Sequence, residues 1–204
     1  MRVHLIINQQ TIYLKPLFKI IKMKKILFVS IILLTSQFIS AQKVFTKNGN
    51  ISFFSKSALE NISADNNQVM SVLNQQNGDM QFSVLIKSFR FKKSLMEEHF
   101  NENYLESDKY PKASFKGNIS DLSKIDFSKD GNYAVNVTGD LTMHGVTKKV
   151  SAPGTLLVKG GKVIADSKFN LKLADYNITI PKLVKDNIAE VIDIIVSCNY
   201  DQKM

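Results

Sequence analysis

Two stretches of the chain alternate apolar and polar residues for longer than a helix or loop would sustain. Tyr133, Val135, Val137, Gly139, Leu141 and Met143 interleave with Ala134, Asn136, Thr138, Asp140, Thr142 and His144. Val163, Ala165, Ser167, Phe169, Leu171 and Leu173 interleave with Asp166, Lys168, Asn170 and Lys172. A period of two sends successive side chains to opposite faces, so each stretch reads as a strand with one apolar face. Phe82, Val84 and Ile86, set against Gln81, Ser83 and Lys87, form a shorter example. The runs over about 132 to 143 and 162 to 174 exceed the usual five or six residues. Such length favours a tall antiparallel barrel of about eight strands over a compact sandwich. The absence of tryptophan and of a second cysteine also removes the immunoglobulin hallmarks.

Turn chemistry divides the remainder into hairpins. Asp65-Asn66-Asn67 separates two short runs, while Asn77-Gly78 and Gly160-Gly161 read as two-residue connectors. The segment Ala174 to Asn187 breaks the alternation, carries Pro181, and reads as a loop crossing one end of the barrel. The one clear helical pattern begins at Ser94. Leu95, Met96, Phe100 and Tyr104 fall on one face, with Glu97, Glu98, Asn101 and Glu102 facing water. Ser94 with Glu97 makes a capping-box pattern. Pro111 then forces extended backbone, and Ala113, Phe115, Gly117 and Ile119 alternate with polar residues along the next strand. The expected fold is all-β: an extended barrel with one short helix packed at or capping it.

Residues 1–41 read as an address rather than as part of that fold. Lys22, Lys24 and Lys25 precede an apolar run from Ile26 to Leu34, and Ser40-Ala41 precedes Gln42. This is the form of a secretory signal peptide, too short for a membrane span. Met23 is then the expected initiator, with an upstream extension before it. The domain is expected over 42–204, in the periplasm or outside the cell, without stable membrane insertion once the leader is removed. The leader holds six basic residues and no acidic one, so the whole-chain charge of +9 falls to +3, from 21 basic and 18 acidic residues. Nucleic acid is not an expected partner on that balance. The single cysteine, Cys198, shares one face of the last strand with Ile192, Ile194, Val196 and Tyr200. It reads as a small buried hydrophobe.

Chemistry-bearing motifs are sparse. There is no glycine-rich phosphate loop, paired-cysteine zinc motif or nucleophile elbow. The Glu97, Glu98 and Glu102 group lacks the ligand density of a calcium loop. No catalytic residue, metal or cofactor is therefore expected. Of the two histidines beyond the leader, His99 lies at the margin of the helical face and His144 on the polar side of its strand.

Two segments carry a resemblance. ESDKYPKASFKG (Glu106–Gly117) and GDLTMHGVTKKV (Gly139–Val150) resemble the YceI-like family of secreted bacterial lipid-binding proteins. The matching positions are Tyr110, Pro111, Phe115, Gly139, Leu141, Thr142, His144, Gly145, Val146, Thr147 and Lys148. Glu97-Glu98-His99-Phe100 stands where the family has acidic-x-His-Leu, with a one-residue gap. The similarity runs over about residues 44 to 201. It implies a lipocalin-like barrel whose lumen holds a polyisoprenoid or other long-chain amphiphile.

On that reading Phe82, Val84, Ile86, Phe100, Ala113, Phe115, Leu141, Met143, Phe169, Leu171 and Leu173 line the lumen. His99, His144 and Lys148 are candidates for the headgroup at its mouth. Ala113, Gly117, Gly139, Ala165 and Ser167 interrupt the large inward residues and would leave free volume. Alternation alone leaves open a packed lumen, because both cases need inward apolar residues. The alternatives are a structural or stress-related envelope protein with a solid core and, with weaker support, a lipid-acting enzyme using His99 and the nearby glutamates. The leader is testable on its own: intact-mass measurement of exported protein should give Gln42 at the N-terminus, and retention of Ile26 to Leu34 would indicate an anchor.

Overall fold

A computed structural model describes residues 43–204. The expected leader, residues 1–41, lies outside them. The strands are β1 (Lys43–Lys56), β2 (Asn61–Asn74), β3 (Asp79–Leu85), β4 (Arg90–Phe91), β5 (Lys112–Ile119), β6 (Gly131–Met143), β7 (Val146–Lys159), β8 (Lys162–Lys172), β9 (Val191–Tyr200) and β10 (Gln202–Lys203). Eight of them close an antiparallel barrel in the order β1-β2-β3-β5-β6-β7-β8-β9, with β9 pairing back onto β1. The two-residue β4 and β10 attach to β2 and β1. The helix α1 (Ser94–His99) continues as a π-helical turn over Phe100–Tyr104.

The period-two faces hold along β6, β7 and β8. Along β6, Gly131 through Met143 pair without interruption with Val158 through Val146 of β7, and β5 and β8 keep their apolar residues inward. Gly160 and Gly161 both take positive φ, +56° and +73°, as a two-residue primed turn requires.

The turns differ in three places. Asp65-Asn66-Asn67 is not a hairpin but lies inside β2, where the register slips between Gly49 and Ile51 of β1. Asn66 is fully buried there; its side-chain amide donates to the Leu85 carbonyl at 2.9 Å and its oxygen accepts the Gln68 N–H at 2.9 Å. The asparagine thus serves a bulge. At Asn77-Gly78 the connection spans residues 75–78 and Gly78 alone is left-handed, at φ +76°; its N–H donates to the Asn74 carbonyl. His144 is not on a strand face. With Gly145 it makes the β6–β7 turn, both at positive φ.

The helix also differs at its start. Lys93, not Ser94, is the N-cap, and no side chain caps it. Glu97 instead accepts the Phe91 N–H at 3.2 Å and pairs with Arg90 at 2.9 Å, which fastens α1 to β4. Leu95 is 59% exposed, while Met96, Phe100 and Tyr104 turn toward the barrel.

The core has two parts. At the end bearing the Gly160-Gly161 turn, Leu73, Ile119, Leu156, Val158, Val163 and Cys198 form a dry plug. Each such fully buried aliphatic side chain contributes about 1.5–3 kcal/mol. The Tyr200 hydroxyl is hydrogen-bonded to Ser71 at 2.7 Å across this plug. At the opposite end Phe53, Phe89, Ile86, Leu171 and Ile192 make a second cluster beneath α1.

Gly117 and Gly139 face each other on β5 and β6, and the Phe115 ring lies over both. The space expected at these glycines is therefore filled by that ring. A Cβ on Gly139 would collide with the Gly117 backbone, the Lys116 carbonyl and Phe115. Gly139→Ala should cost about 1–3 kcal/mol through overpacking, read as a lower denaturation midpoint; an unchanged midpoint would contradict this contact. Burial, aided by Asp166, pushes the Cys198 thiol up to about 12 from its ordinary 9.0. Alkylation should therefore be seen only after unfolding. Between those values the unfolded chain has lost a proton that the folded chain keeps, so stability should fall as pH rises.

Candidate ligand-binding cavity

Between the plug and the helix end lies a cavity of about 410 Å³. That volume is within the roughly 300–1,000 Å³ of small-molecule sites. Its walls follow from the alternation. Phe82 and Val84 reach it from β3, Ala113 and Phe115 from β5, Leu141 and Met143 from β6, and Phe169 and Leu171 from β8. Ile86 and Leu173 lie one residue beyond their strands and still line it. Phe100 closes from above. All eleven lumen residues expected from the sequence therefore meet at one cavity.

Several lining residues had no weight in the sequence reading. Phe53 of β1, Phe89 and Phe91 of β4 and its preceding turn stack around Phe100, with ring centroids 5.6, 5.5 and 5.0 Å from it. An F-x-F spacing at 89–91 could have signalled this, but the strand is two residues long. Val150 and Ala152 of β7 and Ile192, Ile194 and Val196 of β9 complete the wall. Ile178, Val184 and Ile188 come from the 173–190 segment, which does cover that end of the barrel.

The lining is largely apolar. Glu60, His99 and Asn187 lie at the helix end. Glu60 accepts a hydrogen bond from Lys93 at 2.8 Å, and this bond, more than any other influence, holds its carboxyl below the usual value. Ser55 turns its hydroxyl to the Ala189 N–H at 2.8 Å, so it is occupied by the backbone. Nothing in the sequence marked Glu60, because hairpin glutamates look alike until the fold sets one beside a cavity. Among the described residues no group of three or more His, Cys, Asp or Glu side chains could hold a metal.

His144 and Lys148 do not line the cavity. The His144 ring is pinned from three sides. Nδ1 meets the Tyr176 carbonyl at 3.0 Å, Nε2 meets Glu106 at 2.8 Å, and Tyr110 packs edge-on at 4.8 Å. Both ring nitrogens are engaged, so this histidine joins three segments and has no free atom for a ligand. It is a structural residue rather than the headgroup contact expected for it. Lys148 is exposed on β7.

Comparison with known proteins agrees with the architecture. No curated protein sequence matches the chain. A polyisoprenoid binding domain from Saccharophagus degradans, implicated in plant cell wall breakdown, superimposes with a TM-score of 0.67 at 12% identity, covering 78% of this chain and 97% of that one. BcnA of Burkholderia cenocepacia gives 0.58 at 18% identity, covering 73% and 94%. At these identities the likeness concerns the fold. The family model for the YceI-like domain matches residues 36–200, the whole barrel from before β1 to the end of β9. The chain belongs to the YceI-like domain family.

Proposed function

We propose that this chain binds a polyisoprenoid or other long-chain amphiphile in its lumen and acts as a secreted or periplasmic carrier or store, without catalysis. The observation that carries the reading is the cavity of about 410 Å³ with its largely apolar lining, walled by Phe82, Phe115, Leu141, Phe169 and their neighbours. A close-packed interior has few voids larger than a water molecule, so a space of this size needs an occupant or a reason to stay open. An apolar chain suits such a wall. Each buried methylene contributes about 0.8 kcal/mol before the cost of association is subtracted. The Saccharophagus degradans domain, similar in fold, is described as polyisoprenoid-binding, which supports the same ligand class here. Of the polar candidates, His99 at the helix end and the exposed Lys148 remain available to a headgroup. A leader that directs export fits a carrier of envelope lipid. Among the described residues no helix is long and apolar enough to cross a membrane.

Two small residues test this. Ala113 and Ala165 are buried at the cavity wall. Ala113→Phe and Ala165→Phe should block a fluorescent long-chain prenyl probe while leaving the melting temperature nearly unchanged, because each ring enters empty space. In a packed interior the same changes would cost about 1–3 kcal/mol. Strong destabilisation of both, with no probe bound by the parent, would favour the structural envelope protein instead.

A further inference from the structure

The barrel wall is not continuous. β7 and β8 pair from Lys159–Lys162 to Gly154–Ser167 and no further. Beyond that point residues 146–153 of β7 pair with β6 alone, and residues 168–172 of β8 pair with β9 alone. The break has a cause in the sequence. Pro153 has no N–H, so it cannot extend the ladder toward β8. Its carbonyl, which faces β8, accepts the Ser167 hydroxyl at 2.6 Å. Gly154, the last residue to pair, sits so close to β8 that a Cβ would approach the Asp166 carbonyl to 2.7 Å. At the far end the gap is closed by the His144 contact to the Tyr176 carbonyl, which ties the β6–β7 turn to the segment after β8. The result is a bounded slot in the side of the barrel.

The slot opens onto the cavity. Val150, Ala152 and Gly154 on one lip and Ser167, Phe169 and Leu171 on the other all line it. So do Thr155 and Asp166, which lie on the outer face of the wall, opposite in phase to the buried Leu156 and Ala165. Lys148 adds a second sign. It pairs with Leu141 across β6–β7 and therefore lies on the inward face of β7, in phase with Val146 and Val150, yet it is exposed. An inward lysine reaches solvent there because no strand covers it. Its neighbour Lys149 is paired with Asp140 at 3.4 Å, whereas among the described residues no ion pair engages Lys148.

We propose that this slot is the route by which the apolar chain of the ligand enters and leaves the lumen sideways, with Lys148 at its lip holding an anionic headgroup such as a phosphate outside. The proposal rests on the lipid-binding reading. A lateral route lets a long chain slide in along its length instead of threading end-on past the Phe53, Phe91 and Phe100 rings and the Glu60–Lys93 pair. The headgroup never has to leave water.

The test uses a fluorescent prenyl phosphate and the matching prenyl alcohol on the intact domain. Ser151→Cys with Asn170→Cys places two thiols on the outer faces of the facing lips, to be joined by a short bis-thiol linker; buried Cys198 does not compete. Glu60→Cys with Lys93→Cys, joined in the same way, closes the helix end. The linked slot pair should slow uptake and release of both probes by roughly tenfold or more. The linked end pair should exchange at the same rate as its own unlinked form. Lys148→Gln should weaken the phosphate probe several-fold and leave the alcohol alone. A Pro153→Thr variant, which restores the ladder donor, should slow exchange in the same sense without any linker. Parent-like rates with the slot linked, or slowing confined to the end pair, would overturn the lateral route. Equal loss of both probes in Lys148→Gln would overturn its headgroup role. Failure of the parent to bind either probe would instead refute the lipid-binding reading itself.

Discussion

Closure of the sheet is what the rest of this structure depends on. β1 is fourteen residues long and pairs with β2 along one edge and with β9 along the other, so Phe53 faces both Ala64 and Ile194. Without that double pairing the sheet would end in two open edges and its inward face would need a second layer to cover it. With it, the inward residues of eight strands face one another, and the interior becomes a lumen. The slips at Gly49 and Asn66 belong to the same constraint, since a strand that must serve two neighbours has to bend. The buried Asn66 satisfies the backbone that such a bend exposes.

Stability and binding are divided along the barrel axis. The turn end holds the dry plug around Leu73, Leu156 and Cys198, with Tyr200 and Ser71 hydrogen-bonded inside it. The helix end holds the aromatic group around Phe53 and Phe100 and covers the cavity without filling it. A barrel with one densely packed end can leave its other half hollow, because the plug supplies burial that the cavity does not. Gly117 and Gly139 let Phe115 lie flat against the wall instead of across the lumen, so a close backbone approach helps to keep the space clear.

The segment between β3 and β5 shows how polar contacts place an apolar lid. Glu97 joins α1 to β4 through Arg90 and the Phe91 N–H, and Lys93 reaches Glu60 in the β1–β2 connection. Exposed pairs of this kind contribute little energy, roughly 0–1 kcal/mol each. Their effect is to fix where Met96, Phe100 and Tyr104 point. The His144 pin does the same for the β6–β7 turn, held between Glu106 and Tyr176.

Strand faces were legible because a strand with one wet side must alternate, and β3, β5, β6 and β8 do so at every inward position that mattered. The Gly160-Gly161 turn was legible because two adjacent glycines allow two successive positive φ angles. The Asp65-Asn66-Asn67 run misled for a physical reason: the side-chain hydrogen bonds that favour a turn also serve a bulge. His144 misled because strand phase stops at a turn, and its partners Glu106 and Tyr176 lie 38 and 32 residues away. The sequence by itself determined an all-β barrel, its inward residues and the family to which they belong. Tertiary structure alone decided that the lumen is hollow, because volume depends on what faces each residue across the barrel. Phe115 fills the space beside Gly139, whereas Ala113 lines the cavity.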